Sequence, residues 1–146
     1  MTQAGSARNR RVFVDTSAYF ALADRRSASH RAMDAIVRRL ITERWRLFTS
    51  NFVLAETHAL LLSRIDHAIA LQVLLAIDSS TTTIVRVSAR DERRAREILA
   101  RYDDKDFSLT DATSFAVMER LHISQAFTLD ADFSQYGFAV LAATET

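Results

Sequence analysis

Five carboxylates fall where this 146-residue chain changes from one kind of pattern to the next. Asp15 ends the apolar run Val12-Phe13-Val14. Glu56 lies in the first turns of the apolar helical stretch that follows Asn51. Asp111 stands three residues after Ser108 in Phe-Ser-Leu-Thr-Asp-Ala-Thr-Ser-Phe-Ala-Val-Met, residues 107–118. Asp130 and Asp132 close Phe-Thr-Leu-Asp-Ala-Asp, residues 127–132. Carboxylates gathered at one place repel one another, and their ionised forms need a counter-charge. Hard divalent cations supply it, and an all-oxygen donor set suits Mg²⁺ or Mn²⁺. The chain has no cysteine, and no histidine accompanies the acids, which argues against zinc. Read alone, Asp111 is equally a capping carboxylate on a first helical turn, with Ser108 as N-cap, worth about 0.3–1 kcal/mol.

The elements that must carry these acids can be read from periodicity. Residues 11–15 read as a short buried strand, 18–23 as a short helix, 24–29 as a polar loop and 30–43 as an amphipathic helix. Residues 46–50 read as a second strand. Helices follow at 52–63, with Asn51 as N-cap, and at 65–79. The β-branched run at 81–88 predicts a third strand, and 89–102 a charged amphipathic helix. After the helix that Ser108 opens, a fourth strand lies within 122–129, a helical turn at 132–136 and a fifth strand at 138–141. Short strands alternating with helices predict an α/β fold: an open parallel sheet of about five strands with helices on both faces. In such sheets ligand sites form beyond the carboxyl ends of the strands, where the next helices begin, so the acids should converge on one edge.

Composition bounds the rest. Apolar residues make 49% and charged residues 25% of the chain, the balance of a soluble globular protein. No run of about 18 apolar residues predicts a membrane span. Residues 1–10 read as a flexible leader without signal-peptide character, and 11–146 as one domain; together with the absence of cysteine this fits the cytoplasm. Two glycines and no proline leave little for linkers. The net charge of +1 is uneven: residues 1–46 hold ten arginines against four acids, and residues 47–146 nine basic residues against fourteen acids. That asymmetry suits a polyanionic partner beside an acidic focus, with the early arginines as candidate phosphate contacts. His30, His58, His67 and His122 are scattered and read as structural. Phe13, Phe48, Phe115 and Phe127 read as core, and Tyr19, Phe20 and Trp45 as core or dimer packing. The apolar helix pair over 52–79 offers an outward face to an oligomer partner.

The four motifs Val14-Asp15-Thr16-Ser17, Ser50-Asn-Phe-Val-Leu-Ala-Glu56, Phe107-Ser-Leu-Thr-Asp111-Ala and Thr128-Leu-Asp130-Ala-Asp132-Phe133, in this order and spacing, resemble the PIN-domain family, and within it the VapC-type toxins of bacterial toxin–antitoxin pairs. The resemblance spans residues 11–141. It implies a Rossmann-like sheet, an Mg²⁺- or Mn²⁺-dependent endoribonuclease, an RNA substrate, frequent homodimers, and inhibition by a VapB-type antitoxin. By position, Asp15, Glu56 and Asp111 match the three core acids of the family. Asp130 matches the fourth, with Asp132 able to share the role. Thr16 and Thr110 match supporting hydroxyls, and Asp104 an acid seen in related toxins. A PIN-like RNA-binding or RNA-processing module that is not a toxin is the alternative. A phosphotransfer receiver domain would need a lysine near its last strand, and the single lysine is Lys105. A haloacid-dehalogenase-type phosphatase would need an acid at position 17, which is Ser.

Overall fold

The computed structural model describes residues 10–141; the expected leader, but for Arg10, lies outside these, as do residues 142–146. Among the described residues five strands, β1 (Arg11–Val14), β2 (Arg46–Ser50), β3 (Thr83–Val85), β4 (Gln125–Phe127) and β5 (Ala139–Val140), alternate with seven helices. The helices are α1 (Thr16–Ala23), α2 (His30–Thr42), α3 (Asn51–Arg64), α4 (His67–Ser79), α5 (Ala89–Arg101), α6 (Leu109–Leu121) and α7 (Ala131–Tyr136). The strands pair in parallel in the order β3-β2-β1-β4-β5. This is the predicted α/β sheet, and no described helix is long and apolar enough to cross a membrane.

Strand alternation divides the core in two, because successive side chains point to opposite faces. Phe13, Phe48 and Ala126 pack with Val53 of α3, Ala95 and Ile98 of α5, and the buried face of α6. Val12, Val14 and Phe127 pack instead with Ala18 and Ala21 of α1 and Met33, Ile36 and Leu40 of α2. Strand β1 is buried from both sides, as its unbroken apolar run requires. The chain steps outward from β1 to β2 and β3, then crosses back to lay β4 on the other side of β1. The ends of β1 and β4 therefore flank the point where the strand order reverses, where open α/β sheets form a crevice.

Several boundaries differ from the sequence reading for local reasons. Helix α3 is capped by Ser50, whose Oγ accepts the Val53 N–H at 3.2 Å, and not by Asn51. The Asn51 side chain accepts the Val87 N–H at 2.9 Å and ties the segment after β3 to the start of α3. Helix α4 begins at His67, capped by Asp66. Strand β3 keeps only three of the eight β-branched-rich positions, those that pair with Phe48–Ser50. Several of the early arginines have partners within the protein, Arg26 pairing with Asp24 and Arg46 lying over the Phe48 ring. Arg11 donates to the carbonyls of Leu121 and His122 at 3.0 and 2.8 Å, closing the exposed end of α6, where His122 takes φ 56°. Arg10 donates to the Glu43 carbonyl, and Arg38 pairs with Asp34 one turn away on α2. His30 is structural, its Nδ1 lying 2.8 Å from the Ala21 carbonyl and joining α1 to α2. The four phenylalanines assigned to the core are buried.

Candidate metal centre

Asp15 follows β1 at the N-cap position of α1, without a side-chain capping hydrogen bond. It is almost fully buried. Its Oδ2 accepts hydrogen bonds from Ser17 Oγ at 3.1 Å and Thr128 Oγ1 at 3.0 Å. Its N–H donates to the Phe127 carbonyl at 3.1 Å, extending the β1–β4 ladder. Burial pushes its pKa up, against the opposing pull of the Thr16 amide and the two hydroxyls.

Asp111 is the third residue of α6. Its N–H donates to Ser108 Oγ and its Oδ2 accepts the Ser108 N–H, both at 3.0 Å, a reciprocal capping box. The box uses one carboxylate oxygen. The residue is buried, and its pKa is pushed up to about 7, first by burial and then by the charges of Asp130 and Asp15. Asp130 lies three residues beyond the end of β4, which stops at Phe127 within the expected span 122–129. It caps α7 by accepting the Asp132 N–H at 2.9 Å. Asp132 is half-buried and its pKa is raised by burial and by the charge of Asp130.

One carboxylate oxygen from each of Asp111, Asp130 and Asp132 lies within 4.8 Å of the other two. Asp15 stands outside this close set but near enough to act on Asp111 by its charge. Glu56, half-buried on the second turn of α3, is also outside it. The neighbouring Thr57 donates to Thr16 Oγ1 at 3.4 Å, which holds the Glu56 turn of α3 against the start of α1. Among the described residues none of these five acids forms an ion pair. Acids grouped in this way repel one another when ionised, and the Asp111 pKa is pushed up to about 7. Their oxygens are the hard ligands that Mg²⁺ and Mn²⁺ take. The residues present fit a divalent ion.

Other expected residues fall less centrally. Thr16 is buried and receives the Thr57 bond. Thr110 lies half-buried on the first turn of α6, and Asp104 is exposed in the turn between α5 and α6. Asp106, in the exposed acidic loop before Ser108 and not counted with the site in the sequence reading, adds to the field on Asp132. Two hydroxyls were also passed over. Besides binding Asp15, Ser17 Oγ accepts the Leu129 N–H and Thr128 Oγ1 accepts the Asp130 N–H, each at 2.9 Å. They fix the turn that carries Asp130 to the acid at the end of β1. Their positions, two after Asp15 and two before Asp130, were the available signal. A larger apolar hollow of about 750 Å³, lined by Tyr19, Val37 and Trp45, contains none of the acids.

A family model described as PIN domain matches residues 12–139. Over 128 residues the chain is 38% identical to the 23S rRNA-specific endonuclease VapC20 of Mycobacterium tuberculosis, in two strains, a match taking in 87% of this chain and 95% of the relative. The crystal structure of Mycobacterium tuberculosis VapC20, described as a sarcin–ricin loop cleaving toxin, aligns with a TM-score of 0.82 at 36% identity over 90% of this chain and 98% of that one. FitAcB from Neisseria gonorrhoeae aligns with a TM-score of 0.67 over 92% of this chain and 99% of its own, at 15% identity, a likeness of fold.

Proposed function

The chain belongs to the PIN domain family, and from that premise we propose that it is a divalent-metal-dependent endoribonuclease acting as the toxin of a VapBC-type toxin–antitoxin pair. The observation that carries the reading is the convergence of Asp111, Asp130 and Asp132, with Asp15 beside them, at the point where the strand order reverses, none of them in an ion pair among the described residues. In this reading Asp15, Asp111 and Asp130 hold Mg²⁺, with Mn²⁺ as substitute. Asp132 shares the place of Asp130, and Glu56 approaches from α3. The bound ion supplies the positive charge that phosphodiester hydrolysis by water requires, offsetting the acids and the charge that develops on the phosphate oxygens.

The chain's own groups do the positioning. Ser17 and Thr128 occupy one oxygen of Asp15, and the Ser108 amide occupies one oxygen of Asp111, so each acid keeps its other oxygen for the ion. The capped turn at Asp130 presents two acids from one rigid segment. In this reading Glu56, on the second turn of α3, would orient the attacking water. No covalent nucleophile is needed.

The 38% identity to a 23S rRNA-specific endonuclease makes the sarcin–ricin loop the first RNA to test, and the cytoplasm the place of action. A VapB-type antitoxin is the proposed inhibitor, its arginine pairing with the uncompensated acids. A homodimer is proposed from the exposed Leu62, Leu71 and Leu75 along α3 and α4. Cleavage of a sarcin–ricin-loop hairpin should need added Mg²⁺ or Mn²⁺ and stop on chelation. Undiminished cleavage in excess chelator would overturn the metal reading.

A further inference from the structure

A second cleft, about 310 Å³, shares Asp130 with the acid cluster and lies between the start of α2 and the turn from β4 into α7. Its floor is the buried Met33 and Ile36, and its rim includes Leu129, which is 50% exposed between the buried Thr128 and Asp130. An apolar side chain so exposed beside carboxylates is not placed there by core packing. Nor is it a loose loop residue. The amides of Leu129, Asp130 and Asp132 are each bonded, to Ser17 Oγ, Thr128 Oγ1 and Asp130 Oδ1, all at 2.9 Å, so the backbone that presents Leu129 is held. Small residues on the other walls, Ala32 and Ala131, leave room for a flat group.

We propose that this cleft is a subsite for the unstacked base of a nucleotide adjoining the scissile phosphate, with Leu129 as the side chain against which the base lies. The inference rests on the ribonuclease reading and deepens it. Enzymes that act on unpaired nucleotides hold an extruded base between apolar surfaces, and single-stranded loops are where such bases are available. The volume lies at the small end of ligand sites. Asp130 supplies the continuity, because a phosphate placed at the acids has its adjoining nucleotide at this rim. Arg31, exposed and without an ion pair among the described residues, precedes Ala32 on the first turn of α2 and suits the next phosphate.

The test uses the full chain with Mg²⁺ and a sarcin–ricin-loop hairpin whose cut site has been mapped. An abasic ribose is then placed at either nucleotide flanking the cut. The wild-type protein should lose about tenfold or more in kcat/KM at one of the two positions. Leu129→Ser, which removes the wall, and Ala32→Leu, which fills the room from an exposed helix position, should each lose about tenfold on the intact hairpin and become indifferent to the abasic substitution. The Mn²⁺-induced shift in Tm should be the same in both variants as in the wild type, because no acid is altered; if Leu129→Ser folds poorly, Ala32→Leu carries the test alone. Wild-type cleavage indifferent to the missing base at both positions, or variants that respond to it as the wild type does, would overturn the subsite and leave the nuclease standing. A wild-type protein that cuts neither the hairpin nor ribosomal RNA would overturn both.

Discussion

Helices α5 and α6 open with the same device and put it to opposite uses. Ser88 and Asp91 form a reciprocal capping box at the start of α5, at 3.1 and 3.0 Å, as Ser108 and Asp111 do at the start of α6, at 3.0 Å each. Both aspartates are buried. What differs is what each carboxylate meets after the box is made. Asp91 receives both arms of Arg120 from the end of α6, at 2.8 and 2.9 Å. Burial alone would raise its pKa, but the Arg120 bonds and the Ser88 amide outweigh it and hold the carboxyl below its ordinary value. Asp111 meets Asp130 and Asp15, and its pKa rises to about 7. A local motif sets where a helix starts. Whether its acid is structural or available for chemistry is decided by residues 19 to 96 positions away.

The largest effect that sharpens this contrast is on activity. Asp111→Asn keeps the size and the acceptor for Ser108 while removing one charge from the cluster. RNA cleavage at matched folded concentration should fall by about a thousandfold or more, each 1.36 kcal/mol of lost transition-state stabilisation being about tenfold. Its Tm in chelator should hold or rise, since a repelling charge has gone. Asp91→Asn should do the reverse, leaving cleavage per folded molecule near normal and costing about 1–3 kcal/mol in denaturant titration. That figure is below the full cost of breaking a buried pair because Arg120 is 36% exposed.

Next in size is the response to pH, where the two acids carry opposite signs. Asp111 has a folded pKa of about 7 against an ordinary 3.8, so between about pH 4 and 7 the folded state binds more protons than the unfolded one. Its contribution in chelator is a stability that declines as pH rises through that window. Asp91, depressed when folded, contributes stability present above its ordinary pKa and lost as pH falls through the folded value. Tm measured from pH 4 to 8 should show the decline in the wild type and a weaker one in Asp111→Asn. An unchanged slope in that variant would break the assignment.

Much of this fold was legible because the strands alternate two buried faces along short apolar runs, and because Asp15 ends such a run while Asp111 stands in a capping box with Ser108. The Asp91–Arg120 pair was not, since nothing in Ser-Ala-Arg-Asp distinguishes it from Ser-Leu-Thr-Asp. Nor were the roles of Asn51, Ser17 and Thr128, whose partners lie 36, 112 and 113 residues away and depend on which strand ends become neighbours. The early arginines misled in part: their number suggested RNA contact, but Arg10 and Arg11 are taken up by backbone carbonyls at helix ends.

The smallest effects come from the caps. Ser88→Ala and Ser108→Ala should each cost about 1 kcal/mol in stability. Only the second should also raise the Mg²⁺ concentration that cleavage requires, because in the proposed site only its partner acid would hold the ion.

The most direct measurement is a calorimetric titration of Mn²⁺ into wild-type, Asp91→Asn and Asp111→Asn protein at pH 8, each checked for folding. The wild type and Asp91→Asn should bind with the same affinity, and Asp111→Asn should bind at least tenfold more weakly. Equal binding by all three would show that Asp111 is a helix cap like Asp91, and would contradict the metal centre from which the function is argued.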